Sequence, residues 1–370
     1  MMLGVNIIGP IFGEFGIGED VRSLVQALLG LDIEINIFEY PQKGNFSKAS
    51  YSFDQYCGNN LVFDINIFCI PIFEVFRFIS EYGFSAFEGR YNIGYSPWEL
   101  EKWPKQYQFM ASYLDELWAS SHHTFKAYEE NLNVPIYLVP LIVELPSFNE
   151  NLTASISLNI DQSKFNFLYV FDSNSTFSRK NPHDAISAFQ KAFLGHSDVV
   201  LVLKTMGYRQ DNDELNRSLK DYSNIILIND CLSRSELFSL YKACDAYVSL
   251  HKAEGFGRTI AEAMLLKKPV ITSNYSGNVD FCIEKTAFLV QGDVKAVAPY
   301  AYPFWFENRW FFPDIENAKT QMLRCFNEPT LRSNITENAY QLISNTFSSQ
   351  TISKLISRRL DDVFAKIKSH

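Results

Sequence analysis

The sequence lacks the signatures of a disulfide-rich, zinc-binding or membrane-spanning protein. Its six cysteines, at positions 57, 69, 231, 244, 282 and 325, form no CxxC pair and join no histidine at a zinc-like spacing. Scattered thiols are typical of a reducing compartment, so we expect a cytoplasmic protein. The most apolar stretch, residues 65–79, contains Pro71, Glu74 and Arg77 and is too interrupted to span a bilayer. The first residues become acidic and glycine-rich too soon for a signal peptide.

Basic charge is scarce in the first part of the chain. The net charge of −9 falls on residues 1–150, which carry 19 acidic and only 8 basic side chains. An acidic half argues against nucleic acid as a partner and against docking on anionic lipid through that half. Residues 151–370 carry a small basic excess. The second half is therefore the better place for a polyanionic ligand.

Strand-like and helix-like segments alternate along the whole chain. Examples are the apolar run Gly4–Gly9, the helical pattern Ile17–Leu29 and the strand-like Tyr91–Tyr95. Residues 141–164 lose this periodicity, and the alternation then restarts. The pattern predicts an α/β fold with two Rossmann-like, doubly wound parallel sheets, in which ligands bind beyond the carboxyl ends of the strands.

The most informative segment follows the predicted strand Ala246–Leu250. It reads Glu254-Gly255-Phe256-Gly257-Arg258-Thr259-Ile260-Ala261-Glu262 and opens a predicted helix. Two glycines allow backbone amides to approach a ligand closely, and the first turn of a helix offers unpaired N–H donors and a positive dipole end. A pyrophosphate fits such a position. The two glutamates would then flank an anionic ligand.

A simpler explanation applies to part of this segment. Thr259-x-x-Glu262 has the spacing of a capping box, which needs no ligand. Capping would leave Glu254 and the two glycines unexplained. A generic glycine turn into a helix is the alternative for those three residues.

The spacing of Glu254 and Glu262 resembles the E-x7-E motif of retaining glycosyltransferases of group 4. The preceding strand, the segment Lys268–Thr272 and the segment Trp310–Asp314 are similar to the same family. The resemblance implies the GT-B fold, with two Rossmann-like domains facing a cleft. It also implies domains at 1–150 for the acceptor and 165–348 for the nucleotide sugar, and a crossover helix at 349–370.

The resemblance also assigns the residues that would hold the donor. Lys180 matches the family's phosphate-binding lysine. An arginine usually follows the strand directly, where this chain has Asp172 and Ser173, so Arg179 is the candidate substitute. The catalytic set is therefore Glu254, Lys180 and Arg179. Further donor contacts are expected from backbone or side chains at Gly16, Lys204, Gly255, Phe256, Gly257, Arg258, Thr259 and Glu262. A solvated basic loop and a plain tight turn at Gly16 are the alternatives.

The acceptor side is less specific in sequence. Related enzymes often have a histidine near the segment that includes Trp98 and Glu99, and this chain has none there. Glu99 is the candidate polar contact, Trp98 a candidate stacking surface, and His251 a candidate sugar or phosphate contact. Core packing is the alternative for Trp98.

The implied reaction moves a hexose-type sugar, with retention, from a nucleotide-diphosphate sugar to a glycan or lipid-linked acceptor in surface polysaccharide synthesis. No metal or other cofactor is expected, because Asp211-x-Asp213 stands at a predicted helix start, where acidic caps are common. An epimerase, a phosphorylase or an inactive partner subunit of the same fold are the alternatives. The basic amphipathic stretch 351–370 either packs on the first domain or lies on the inner face of a membrane. Oligomeric state is not readable from the sequence.

Overall fold

The computed structural model describes residues 4–41, 53–145, 160–207, 219 and 223–368. The chain divides into two compact units. The first comprises Met1–Val143 together with Asn345–His370, and the second comprises Glu144–Ser344. The predicted linker 141–164 and the predicted helix near 213–220 lie mostly outside the described residues.

The first unit is built on a parallel sheet of six strands. They are β1 (Gly4–Gly9), β2 (Glu34–Glu39), β3 (Ile65–Phe68), β4 (Tyr91–Tyr95), β5 (Glu116–Ala119) and β6 (Ile136–Leu138). The spatial order is β2-β1-β3-β4-β5-β6. The chain therefore winds in opposite directions from β1, and the switch point lies between β1 and β3, where such sheets open a crevice.

Three α-helices join these strands: α1 (Gly16–Leu29), α2 (Ile72–Tyr82) and α3 (His122–Glu129). Between β4 and β5 the chain forms a 3₁₀ helix, Lys105–Tyr113. It buries only Ala111, so little packing energy is available to favour the wider α-helical turn.

The second unit repeats the architecture with a second parallel sheet. Its strands are β7 (Phe165–Val170), β8 (Val199–Thr205), β9 (Ile225–Asn229), β10 (Ala246–Ser249), β11 (Val270–Ser273) and β12 (Phe288–Val290). The order is β12-β11-β10-β7-β8-β9, so this switch point lies between β7 and β10. A separate antiparallel hairpin follows, of β13 (Gly292–Ala296) and β14 (Arg309–Pro313). The prediction of an α/β fold with two doubly wound parallel sheets is confirmed.

Six described α-helices belong to the second half of the chain before the last helix. They are α4 (Phe177–Lys180), α5 (Pro182–Phe193), α6 (Arg234–Ala243), α7 (Arg258–Leu265), α8 (Ile315–Asn327) and α9 (Pro329–Thr346). Helix α5 begins with proline at its first turn, where the missing N–H costs nothing. Its buried face meets the sheet through Ile186, Phe189 and Phe193 in one apolar cluster.

The last helix, α10 (Ser349–Lys368), packs within the first unit against α1. Its apolar side chains Ile352, Ile356, Leu360 and Val363 are all buried. The face that the sequence left open to a membrane is therefore covered by the first unit. Among the helices of the described ranges, none is both long and apolar enough to cross a bilayer.

Candidate functional site

The switch point of the second sheet brings the predicted motif residues together. Strands β7 and β10 are neighbours in register, with Phe167 beside Ala246. The short helix α4, which follows β7, carries Arg179 and Lys180, and the loop after β10 carries Glu254. Residues 74 positions apart in sequence thus meet beyond the carboxyl ends of adjacent strands. Open α/β sheets bind their ligands at such a point.

Glu254 stands between two cations. Lys180 Nζ lies 2.5 Å from Glu254 Oε1, and Arg179 Nη1 lies 3.4 Å from Glu254 Oε2. The side chains of Glu254 and Lys180 are 14% and 16% exposed, so solvent reaches both, whereas that of Arg179 is 5% exposed. Arg179 also donates to the carbonyl of Ala253 at 2.8 Å. The arrangement leaves Lys180 as the more accessible cation and Arg179 as the one fixed to the motif loop.

This environment sets the protonation state of Glu254. Burial alone would raise the pKa of its carboxyl group, but the charges of Lys180 and Arg179 outweigh burial and lower the pKa to about 2. Glu254 is therefore a carboxylate at neutral pH and cannot act as a general acid there. Its chemistry is limited to accepting hydrogen bonds and stabilising positive charge.

The motif loop is held by the loop that follows β11. Ser276 Oγ accepts the N–H of Glu254 at 2.8 Å, and the N–H of Gly277 donates to the carbonyl of Glu254 at 2.9 Å. A Cβ on Gly277 would lie 2.1 Å from the carbonyl oxygen of Gly255, so only glycine fits. This clamp fixes the backbone just before α7.

Gly257 ends the loop as the N-cap of α7, with a φ of 94° that favours glycine. The N-cap residue offers no side-chain cap, so the capping-box explanation of Thr259 and Glu262 is wrong. Thr259 lies inside the helix, where its carbonyl accepts the hydroxyl of Tyr241 at 3.1 Å. The first turn, which begins at the half-buried Arg258, therefore starts from a glycine rather than from a capping side chain.

Glu262 is buried and paired with a residue that the motif does not include. Arg234 Nη1 lies 2.9 Å from Glu262 Oε1, and the guanidinium of Arg234 lies 4.6 Å above the ring of Phe238. Glu262 Oε2 is buried and has no hydrogen-bond partner among the described residues. A buried carboxylate oxygen without a hydrogen bond destabilises the folded protein unless a ligand donates a hydrogen bond to it.

Arg234 was missed by the sequence reasoning. A signal existed, because Ser233 and Glu236 form a complete capping box that places Arg234 at the first position of α6. The spacing of Arg234 and Glu262 in the sequence did not indicate that α6 and α7 lie next to each other. Phe256, the motif's aromatic residue, is also buried and packs 5.2 Å from Phe281 between ring centroids.

His251 is enclosed by the protein. Its Nδ1 lies 3.0 Å from Ser249 Oγ, and its Nε2 lies 3.0 Å from Asn278 Oδ1. Burial lowers the pKa of His251, which favours the neutral ring. The side chain is 0% exposed, so it supports the motif loop from within and has no face open to a sugar.

Lys204 lies near the end of β8, next to β7. Its ammonium donates to the carbonyl of Thr205 at 2.9 Å, and burial lowers its pKa. Ser173 Oγ lies 2.7 Å from Thr205 Oγ1, so the position usually held by arginine is taken up by a hydroxyl pair. The predicted donor residue Lys204 thus lies at the carboxyl edge of the sheet, where it is 5% exposed. Its donor role stays a prediction.

In the glycine-rich loop before α1, packing requires glycine at one position and does not require it at another. A Cβ on Gly18 would lie 2.1 Å from the carbonyl oxygen of Gly13, so packing alone requires glycine there. At Gly16, the first residue of α1, a Cβ would meet no described atom within 4 Å, and φ is not positive. Packing among the described residues therefore does not explain Gly16, and its donor role stays a prediction.

The tentative acceptor residues occupy different environments in the first unit. Trp98 is 3% exposed and lies 4.7 Å from Trp103 between ring centroids, so the stacking role is not supported and core packing explains it. Glu99 is half-buried, and its carbonyl meets His123 Nε2 at 2.8 Å. The predicted polar role of Glu99 stays a prediction.

No group of three or more metal-ligating side chains occurs in the part of the chain that the structure describes. Asp211-x-Asp213 lies outside that part.

Comparison with known proteins shows what this chain is similar to. Residues 157–300 match the family model described as Glycosyl transferases group 1. A segment of 177 residues is 28% identical to the capsular polysaccharide biosynthesis glycosyltransferase CapM of Staphylococcus aureus. That match covers 47% of this chain and 40% of the relative, so the chain spans less than half of the relative's length.

Several solved structures match nearly the whole chain, and two of them illustrate the likeness. HepE from Anabaena, in complex with UDP and glucose, is 14% identical with a TM-score of 0.68, and the match covers 97% of this chain and 100% of that chain. Sucrose-phosphate synthase from Thermosynechococcus elongatus is 15% identical with a TM-score of 0.70, covering 98% and 100%. The fold is GT-B, and the predicted resemblance to glycosyltransferases of that fold is confirmed. Retention stays a prediction.

Proposed function

We propose that the protein is a metal-independent, retaining glycosyltransferase. It moves a hexose-type sugar from a nucleotide-diphosphate sugar to a glycan or lipid-linked acceptor in surface polysaccharide synthesis. The observation that carries the proposal is the cluster of Glu254, Lys180 and Arg179 beside the glycine-capped start of α7. The likeness to CapM and the UDP bound in the HepE structure support the choice of reaction and donor class.

The diphosphate leaving group would rest on the amides at the start of α7. The N-cap of α7 is a glycine, which has no side-chain oxygen to cap the helix, and the helix dipole favours an anion there. Lys180 adds a point charge at the adjacent loop, which neutralises the negative charge that grows as the sugar–phosphate bond breaks. This electrostatic stabilisation replaces the metal ion that other phosphate-transfer sites use.

Glu254 would act on the sugar rather than on the phosphate. As a carboxylate of low pKa it accepts sugar hydroxyls and stabilises positive charge at the anomeric carbon. The acceptor oxygen bonds to that carbon, the bond to the phosphate oxygen breaks with its electron pair, and the acceptor's proton passes to the departing phosphate. No protein nucleophile is required.

Glu262 would accept the ribose hydroxyls through its unpartnered Oε2. Because the residue is only 1% exposed, the nucleotide can reach it only after covering side chains move. Arg234 contacts the other carboxylate oxygen of Glu262, so we expect Arg234 to be the side chain that moves. Gly16, where an added Cβ would meet no described atom within 4 Å, stays a candidate backbone contact for the donor.

A thermal-shift panel of UDP, GDP and ADP, each with and without EDTA, tests the nucleotide part of the proposal. We expect one nucleotide to raise the melting temperature equally in both conditions, since binding stabilises the folded state by mass action. The loss of the shift in EDTA would contradict metal independence, and the absence of any shift would contradict a nucleotide donor. Product analysis with and without acceptor then separates transfer from epimerisation, and the anomeric configuration of the product tests retention.

A further inference from the structure

The loop between β13 and β14 is rich in aromatic residues that the proposed chemistry does not use. Residues 297–308 contain Tyr300, Tyr302, Phe304, Trp305 and Phe306. The loop has a defined structure. The N–H of Val297 donates to the carbonyl of Asn308 at 3.0 Å, and the buried Asn308 side chain donates to the carbonyl of Phe304 at 3.1 Å. These two hydrogen bonds close the loop at its base and hold the backbone at Phe304.

Three of these rings form one cluster at the surface. Tyr300 is 89% exposed and Phe306 is 60% exposed. The half-buried Trp305 lies between them, with ring centroids 5.5 Å from Tyr300 and 5.8 Å from Phe306. We call Tyr300, Trp305 and Phe306 the aromatic cluster.

The fold does not explain Tyr300. Its φ is 63°, a left-handed conformation in which asparagine or glycine is less strained than tyrosine. An 89% exposed side chain gains almost nothing from packing in return. A ring kept at a strained, exposed position indicates a role in binding.

The loop is attached to the candidate active site. Ser178 Oγ donates to the carbonyl of Ala301 at 2.7 Å, and the guanidinium of Arg179 lies 5.9 Å from the ring of Tyr302. Ser178 and Arg179 directly precede Lys180, the cation paired with Glu254. The aromatic cluster is therefore continuous, through one loop, with the residues proposed to hold the donor.

The net charge of the hairpin and its loop decides between two occupants, a membrane surface and a neutral sugar. Asp293, Lys295, Glu307 and Arg309 on the hairpin carry no net charge together. An aromatic patch for an anionic membrane would need a basic excess, which this hairpin lacks. A neutral pyranose offers apolar C–H faces to aromatic rings and hydroxyls to the mixed charges at the rim.

We propose that the aromatic cluster is a stacking surface for neutral sugar rings of the acceptor glycan. The inference rests on the proposed function, because it assigns the acceptor side of that reaction. It adds the chemical class of the acceptor segment near the donor site, namely uncharged saccharide rings rather than a lipid.

Saturation-transfer NMR of the full chain with maltohexaose, cellohexaose and chitohexaose tests this surface. We expect at least one oligosaccharide to bind wild type, and Tyr300→Asn combined with Phe306→Ala to weaken that binding at least about tenfold. The melting temperature of Tyr300→Asn should stay equal or rise, because asparagine tolerates the left-handed backbone better. Phe84→Ala removes a similarly exposed phenylalanine, 55% exposed, from the first unit and should leave binding unchanged.

Failure of this inference is distinguishable from failure of the proposed function. If UDP, GDP or ADP still shifts the melting temperature but no oligosaccharide binds, or binding survives the double variant, the stacking surface is refuted and the donor site stands. Sedimentation with phosphatidylcholine–phosphatidylglycerol vesicles that is lost in the double variant would refute it in favour of a lipid surface. Loss of oligosaccharide binding in Phe84→Ala to the same extent would also refute it.

Discussion

Each unit contains a buried ion cluster, and the two clusters stand at opposite ends of their strands. In the first unit, Glu116 is the first residue of β5 and pairs with Arg359 of α10. In the second unit, Glu254 lies beyond the carboxyl end of β10 and pairs with Lys180 and Arg179. Because ligands of open α/β sheets bind at the carboxyl ends, the position of a buried charge separates a structural cluster from a functional one.

The structural cluster is closed. Glu116 is 0% exposed and accepts from Trp118 Nε1 at 2.8 Å and from the Tyr91 hydroxyl at 2.8 Å, in addition to the two bonds from Arg359. Both carboxylate oxygens are thus satisfied by the protein itself. The guanidinium of Arg359 also stacks 3.8 Å from the ring of Tyr137. No acceptor of Glu116 is left for a ligand.

A row of asparagines extends this closed network across the first sheet. Asn36 donates to Asn6 at 3.0 Å, Asn6 to Asn66 at 2.9 Å, and Asn66 to Asn92 at 2.9 Å. The four residues are buried and aligned by strand register. A row that pairs only in this register favours one arrangement of the strands.

In both sheets, near the amino ends of the strands, an aspartate side chain accepts the backbone N–H of an asparagine. The N–H of Asn92 donates to Asp115 Oδ2 at 2.7 Å, and the N–H of Asn166 donates to Asp245 Oδ2 at 2.7 Å. The units therefore share this polar pattern at the amino edge, and the second unit gathers Lys180, Arg179 and Glu254 at its carboxyl edge.

The strongest test of this contrast is Glu254→Ala. We expect sugar transfer to fall by about 10³-fold, because a group that stabilises developing charge is lost. The variant should still fold, but with a lower melting temperature, because the ion pairs of Glu254 with Lys180 and Arg179 are lost. Steady-state kinetics and thermal unfolding measure the two effects. Wild-type turnover in the variant would remove Glu254 from the mechanism.

The opposite pattern is expected for Arg359→Met. Removing one partner leaves Glu116 as a buried, unpaired charge, which costs about 3–5 kcal/mol of unfolding free energy. Transfer per folded molecule should be unchanged at low temperature. Denaturant unfolding is the measurement, and Glu116→Leu with Arg359→Met should recover most of the loss. An equal loss in the double variant would show that packing, not charge, dominates.

The pH dependence of stability sharpens the contrast at Glu254. Its pKa is lowered to about 2 in the folded protein from 4.5, so its ionisation contributes stability above pH 4.5 that is lost as pH falls through 2. The difference in unfolding free energy between wild type and Glu254→Gln should therefore shrink between pH 5 and pH 2. Chemical denaturation at a series of pH values measures it, and a constant difference would contradict the paired carboxylate.

The smallest expected effect comes from the asparagine row. Asn66→Ala removes one acceptor of the Asn6 amide nitrogen and the donor to Asn92 Oδ1, at a cost of about 1–3 kcal/mol. Nucleotide binding should be unaffected, because the row lies away from the carboxyl edge. Denaturant unfolding with a parallel thermal-shift titration checks both statements, and weakened nucleotide binding at unchanged stability would break the comparison.

The sequence was informative where local pattern decides structure. The strands Gly4–Gly9 and Tyr91–Tyr95 have their predicted bounds, because the apolar pattern of a strand is a local signal. Contacts that depend on the order of the strands in the sheet have no such local signal in the sequence. The pairing of Arg234 with Glu262 joins two helices, and no spacing in the chain indicates that they meet.

Burial was equally hard to predict for candidate site residues near strand ends. His251 and Trp98 follow strands closely, where exposed functional residues are common, yet tertiary packing encloses both. A sequence window shows that a residue is near a strand end, but not which loops fold over it. The loops after β11 and around Trp103 decide those two cases.

The central claim is that a nucleoside diphosphate binds at the switch point of the second sheet. A crystal soaked with the nucleotide that gives the largest thermal shift tests it most directly. The account predicts the diphosphate against the amides that begin α7, with Lys180 within hydrogen-bond distance. A nucleotide bound elsewhere, with the start of α7 unoccupied, would contradict it.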